Sequence, residues 1–121
     1  VSAGLWIAVG ACGAAGALAR FLLDGVVARR FGAALPWGTF AVNVSGAFVL
    51  GLLVGAVLTG DAALLAGTAA IGSYTTFSTW MLESWLLAED GRPRLAALNV
   101  AGSLLIGLGA AELGRLLGGL L

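Results

Sequence analysis

The nine residues Gly72-Ser73-Tyr74-Thr75-Thr76-Phe77-Ser78-Thr79-Trp80 interrupt one of the most apolar parts of the chain, and their reading decides the fold. Five serine and threonine hydroxyls fall inside them, beside Tyr74, Phe77 and Trp80. Glycine weakens a helix through backbone entropy and β-branched threonine through side-chain crowding, so the stretch predicts a helix break that opens at Gly72. Lipid offers no hydrogen bonds, so non-helical backbone at membrane depth is tolerated only where protein buries it or a cavity receives it. A break leaves carbonyl oxygens without helical partners, and those hard donors suit a cation such as Na+. Phe77 and Trp80 then stand three residues apart, on one face of the resumed helix. Their ring edges carry positive partial charge and attract an anion without a formal charge, whereas an isolated pair of this kind would read as core packing.

Outward from this stretch, the composition is that of a membrane protein. Of 121 residues 60% are hydrophobic and 10% charged, and the mean hydropathy is +1.06. A soluble domain of this length needs far more polar surface. About 20 mostly apolar residues cross a hydrocarbon core roughly 30 Å thick. Four such runs are readable, at about 4–23, 37–58, 63–87 and 95–118. The expected fold is all-α: four transmembrane helices with a break in the third, one transmembrane domain over residues 1–121. No signal peptide is apparent, because the first apolar run is full length and others follow it. Cys12 is the only cysteine and there is no histidine, which excludes an intrachain disulfide and ordinary zinc or imidazole chemistry. A formal net charge of zero gives no reason to invoke nucleic acid, and no paired acids or nucleophile–base arrangement suggests an enzyme.

Glycines recur about one turn apart at Gly10, Gly13 and Gly16, at Gly46, Gly51 and Gly55, at Gly102 and Gly107, and at Gly114 and Gly118. Small residues let helix backbones approach where lipid supplies no hydrophobic drive, so this thin bundle is expected to pack on a second copy or a close relative. Polar residues inside the spans each require a reason. Arg20 closes the first span with Asp24 one turn later, which reads either as a snorkelling anchor paired with Asp24 or as a cation drawing anions to a pore mouth. Pro36 and Trp37 mark the start of the second helix at the interface. Asn43 lies about two turns into the apolar region with Thr39 on the same face; it either bonds a neighbouring helix or offers its amide to an anion. Asn99, Ser103 and Gly107 follow at intervals of four and form one stripe on the last helix. Glu112 reads as an interfacial charge near Arg115, and Glu83, one turn after Trp80, as a polar contact or a vestibule residue.

The segments "GALARF", "WGTFAVNVSGAFVLG" and "GTAAIGSYTTFSTWMLE", with the Asn99/Ser103/Gly107 spacing, resemble the Fluc fluoride channels, also called CrcB proteins, over essentially the whole chain. The resemblance implies a passive, fluoride-selective channel in the cytoplasmic (inner) membrane that lets toxic fluoride leave the cell. It implies an antiparallel dimer with two pores and a structural Na+ at the dimer centre, held by the backbone carbonyls of Gly72 and Thr75. The pore residues it implies are Asn43, Phe77, Trp80 and Ser103, with the hydroxyls of Thr76, Ser78 and Thr79; Arg20, Glu83 and Asn99 supply electrostatic or structural support. Fluoride holds its water tightly, so such a pore replaces water with donors well enough for entry and loosely enough for exit. The sequence departs from the family at Trp80, usually a phenylalanine, and at Asn99, often a tyrosine. Trp80 brings bulk and an indole N–H to the pore. A small multidrug exporter is the main alternative, but it requires an acid in the first helix and residues 1–20 contain none. A non-conducting structural subunit leaves the hydroxyl-rich break unexplained.

An antiparallel homodimer inserts the same chain both ways, which balanced arginines favour. Here Arg29, Arg30, Arg92 and Arg94 fall on one side, against Arg115 on the other. The positive-inside rule places those four in the cytoplasm and both termini outside. The chain is therefore expected to insert mainly one way and pair with an oppositely oriented homologue, with a homodimer as the equal alternative. Accessibility reporters fused to each terminus should read the outer side; equal populations in both orientations would defeat the bias.

Overall fold

The computed structural model describes residues 2–121, and every regular element among them is helical. Helix α1 (Ala3–Phe31) begins at Ser2, whose side chain accepts the Leu5 amide, and ends at Gly32, whose φ of 81° is open to glycine without strain. Its 29 residues run eight past the end of the apolar stretch. Arg20 and Asp24 do not end it, because neither residue breaks a helix. Helix α2 (Trp37–Gly55) follows a short turn, and helix α6 (Pro93–Gly118) starts with proline at its first position, where no N–H is required. These three helices are long and apolar enough to cross a membrane.

The remaining run, residues 60–89, fits the broken crossing expected from the sequence. It consists of α3 (Gly60–Ala63), a π-helical segment (Leu64–Ile71), α4 (Gly72–Tyr74), three non-helical residues at 75–77, and α5 (Ser78–Glu89). Thr75 is extended, with φ −78° and ψ 159°, and the axis is interrupted here and not at Gly72 as expected, because Gly72 keeps helical dihedrals (φ −60°, ψ −35°) and passes the helix on to Tyr74. The π-helical segment is not foreseeable from its Leu, Ala and Gly composition.

Glycines hold the bundle together at two seams. Along α2 and α6, which run parallel, Gly51 and Gly55 lie under the Ala111 and Arg115 carbonyls, while Gly114 and Gly118 lie under those of Phe48 and Leu52. A Cβ at any of the four would collide with backbone. Gly16 gives α1 the same closeness to Ala70 in the π-helical segment, and Gly13 faces the Ser73 hydroxyl. Most of the recurring glycines thus pack helices within one chain. Gly10 and Gly107 meet nothing within 4 Å and Gly102 meets only Leu98 of its own helix, so these three keep the expected role of facing another copy open. Little is enclosed: among the described residues Val42 is the one large side chain fully buried, and Leu87, Ala69 and Ala96 complete the apolar core.

A methyl group at Gly114 has only backbone to displace, so Gly114→Ala should destabilise the fold by about 1–3 kcal/mol, the usual cost of overpacking. Gly109 has open space around it, and Gly109→Ala should be neutral or slightly stabilising in the same unfolding titration in detergent.

Candidate functional site: a broken helix beside an open groove

The break is built by one face of α2. The Asn43 carboxamide binds Thr76 twice: Nδ2 donates to the Thr76 carbonyl and Oδ1 accepts the Thr76 amide, both at 2.8 Å. Two residues on, the Ser45 hydroxyl and the Tyr74 hydroxyl share a hydrogen bond of 2.8 Å. Gly46 leaves the space into which the Thr75 methyl and the Tyr74 ring fit. Residues 43, 45 and 46 therefore address 76, 74 and 75 respectively. Ser45 and Tyr74 escaped the sequence reading, although a serine two residues from Asn43 inside a membrane span was a usable signal.

This pairing has a consequence for the carbonyls. In an unbroken helix the Thr76 amide would bond the Gly72 carbonyl, and the Thr79 amide that of Thr75. The first goes to Asn43 and the second to the Thr76 hydroxyl at 3.3 Å, which caps α5 from three residues upstream. The Gly72 and Thr75 oxygens lose their helical donors together. Two neutral carbonyl oxygens are hard donors of the kind that suits Na+. The Thr75 oxygen also receives Arg20 Nη1 at 3.4 Å, a long contact that occupies one of its two lone pairs.

Arg20 is thus aimed at the break. The ion pair with Asp24 anticipated from their spacing does not form; among the described residues the salt bridge is Arg115–Glu112, at 2.6 Å. Asp24 instead lies against Gly38 of α2. Arg20, Asp24, Thr39, Thr76 and Thr79 line a small cavity of about 160 Å³ behind the break. Glu83 is part-buried near Thr39, and its Oε1 has no hydrogen-bond partner among the described residues.

In front of the break lies an open groove of about 400 Å³, lined by Asn43, Thr75, Thr76, Phe77, Trp80 and Ser103 among others. Phe77 and Trp80 meet edge to face, with centroids 5.7 Å apart at 87°, and Phe77 is 70% exposed. Ser103 also lines a second, almost wholly apolar cavity of about 250 Å³ that reaches past Asn99 to Trp37 and Phe40. The two cavities therefore share Ser103. Six of the residues singled out from the sequence converge on the groove with Gly72, and Thr79 lies behind it. Ser78 is exposed and lines neither space. The donors facing the groove are few: the second N–H of Asn43, the Ser103 hydroxyl, and aromatic edges.

Residues 7–115 match the family described as CrcB-like protein, Camphor Resistance (CrcB). The chain belongs to the CrcB family. It is 50% identical over 111 residues to "Fluoride-specific ion channel FluC 2" of Mycobacterium bovis, covering 92% of this chain and 88% of the relative. A protein of the same name from Haloarcula marismortui is 51% identical over 106 residues, covering 85% and 87%. "Fluoride-specific ion channel FluC 1" of Frankia casuarinae is 45% identical over 121 residues, covering 93% and 94%. In this CrcB chain, as its apolar helices require, the protein is a multi-pass membrane protein.

Asn43→Ala removes both partners of Thr76 at once. Each hydrogen bond contributes about 0.5–1.5 kcal/mol, and leaving the buried groups unpaired costs more. The Thr76 amide should be protected from hydrogen exchange in the wild type and lose at least about tenfold of that protection in Asn43→Ala, while amides in the α2–α6 seam keep theirs.

Proposed function

We propose that this chain is a fluoride-selective channel that lets fluoride leave the cell passively across the cytoplasmic membrane. The observation that carries the reading is the open groove at the break, lined by Asn43 with one unspent N–H, Ser103, Phe77 and Trp80, groups that would replace water around a small anion. The names of the relatives point the same way. No group in the groove forms or breaks a covalent bond with the ion, so transport rather than an enzymatic reaction is the function proposed.

A dimer completes the pore. Thr75, Thr76 and Asn43 present polar atoms to a groove that one chain leaves open, and lipid cannot satisfy them. A second subunit packed antiparallel covers that face and gives two pores. The Gly72 and Thr75 carbonyls of the subunits would hold a structural Na+, which supplies a fixed positive charge at the dimer centre when bound. Arg20, on the Thr75 oxygen, adds positive potential behind the break. Asn43 holds the break and keeps one N–H for the ion. Thr76 and Thr79 stabilise the restart of α5 through a hydroxyl pair 3.0 Å apart. Ser78, outside the groove in a single chain, contributes only if the second subunit comes to it.

The arginine asymmetry favours a second form of this reading, in which the partner is an oppositely oriented homologue. Both forms are separated by one assay: fluoride efflux from liposomes containing only this purified protein, followed by a fluoride electrode against chloride. Fast, fluoride-selective efflux is the expected result and makes the homodimer sufficient. Efflux only after a homologue is added establishes the heterodimer, and silence in both preparations overturns the channel.

A further inference from the structure

Trp80 introduces into the groove a donor that a phenylalanine would lack, and the chain disposes of it. Its indole N–H donates to the backbone carbonyl of Asn99 on α6 at 3.1 Å. The Asn99 side chain then donates from Nδ2 to the Ser84 hydroxyl at 2.8 Å. Ser84 in turn donates to the backbone carbonyl of Trp80, also at 2.8 Å. The result is a closed ring of three hydrogen bonds that starts at the Trp80 side chain and returns to the Trp80 main chain. Ser84 is buried, at 6% exposure, so the ring lies between α5 and α6 and away from solvent. The Ser103 hydroxyl reaches the outer oxygen of Asn99 at 3.5 Å and joins the ring to the groove.

We infer that Asn99 and Ser84 are positioning residues: their side-chain bond ties α5 to α6 at Trp80, so that the indole N–H stays on the Asn99 backbone carbonyl and the carbon-bound edge of the ring faces the groove beside Phe77. A free indole N–H is a neutral donor of ordinary strength on a large, slow-moving ring. Left in the groove it would add a directional hydrogen bond to the weak edge contact and hold a small anion longer, against the requirement that a conducting site release as readily as it binds. Tethering the N–H makes tryptophan present the same kind of surface as phenylalanine. Any residue at position 99 offers the backbone acceptor; asparagine adds the side-chain donor to Ser84, which keeps the two helices at the spacing that the indole bond needs. This rests on the fluoride-channel reading for its transport consequence but not for its geometry.

Two measurements test it. In fluoride efflux, N99A, which keeps the backbone acceptor but cuts the side-chain link that holds α5 on α6, is expected to slow transport at least about tenfold in the wild-type background, while W80F/N99A runs about as fast as W80F, because with no indole there is nothing to hold in place. A double variant whose loss is the product of the two single losses would show that Asn99 acts on the ion or the fold by itself and overturn the inference. S84A is expected to repeat the Trp80-dependent pattern of N99A. The second measurement needs no transport: in the ¹⁵N spectrum of the full chain, the indole proton assigned by its loss in W80F should exchange slowly, and exchange about tenfold faster in S84A, which leaves the indole its acceptor but cuts the link that holds α5 on α6. Fast indole exchange in the wild type defeats the tether even where efflux is normal, whereas slow exchange with no efflux leaves the tether standing and removes the channel.

Discussion

Backbone at membrane depth has no water to fall back on, so the amide and carbonyl of Thr76 must both find partners inside the protein. Asn43 supplies them from one planar carboxamide, with the geometry of a second peptide group. The form of the break in the third crossing follows from this pairing. It takes the donor of the Gly72 carbonyl away, allows the Thr76 hydroxyl to cap α5, and turns Thr75 into an extended residue whose oxygen is open to Arg20. A lipid-facing asparagine could not do this, because the cost of its own burial is met only when Thr76 completes it.

Placing one carboxamide against one residue requires the two elements to be close and fixed. Gly46 brings α2 onto Tyr74 and Thr75, and the Ser45–Tyr74 hydrogen bond fixes the register one step away. On the far side, the reciprocal glycine pairs of α2 and α6 lock those helices at backbone contact. That spacing places Asn43 and Ser103 on one groove, so the small residues and the polar ones serve a single purpose. Aliphatic side chains at Gly51 or Gly114 would widen the seam and separate the two walls. The small core does not contradict this rigidity, since backbone-to-backbone packing needs few enclosed side chains.

Much of this was readable before any coordinates. A hydroxyl-rich stretch in an apolar run predicts a break, though the structure opens it at Thr75 and not at Gly72, and a break needs partners. The groove residues Asn43, Phe77, Trp80 and Ser103 were legible because polar or aromatic residues at fixed spacing inside a membrane span are rare enough to be informative. What was not legible depends on three-dimensional choice. Spacing allowed Arg20 to pair with Asp24, and the structure gives it a carbonyl on another helix. The glycines looked like a surface for another subunit, and most of them serve seams within the chain. The indole of Trp80 looked like a pore donor, and a carbonyl on α6 takes it. In each case the competing partners lie far apart in sequence, and periodicity carries no information about which one is nearer.

The same competition accounts for the mild character of the groove. Nearly every strong donor near it is already engaged: one N–H of Asn43 by Thr76, Arg20 by Thr75, the indole by Asn99, and the Thr76 hydroxyl by Thr79. What is left is one amide hydrogen, the Ser103 hydroxyl, which only a long 3.5 Å contact to Asn99 holds back, and the rims of two rings. For an anion with a tightly held water shell that is a small return on dehydration, and a full positive charge placed in the groove would improve it. It would also keep the ion. In the proposed channel, holding the guanidinium behind the break, on a carbonyl that partly offsets its charge, gives the groove a favourable potential at a distance. The ion is then attracted by a field it cannot reach and is touched only by groups that let it go.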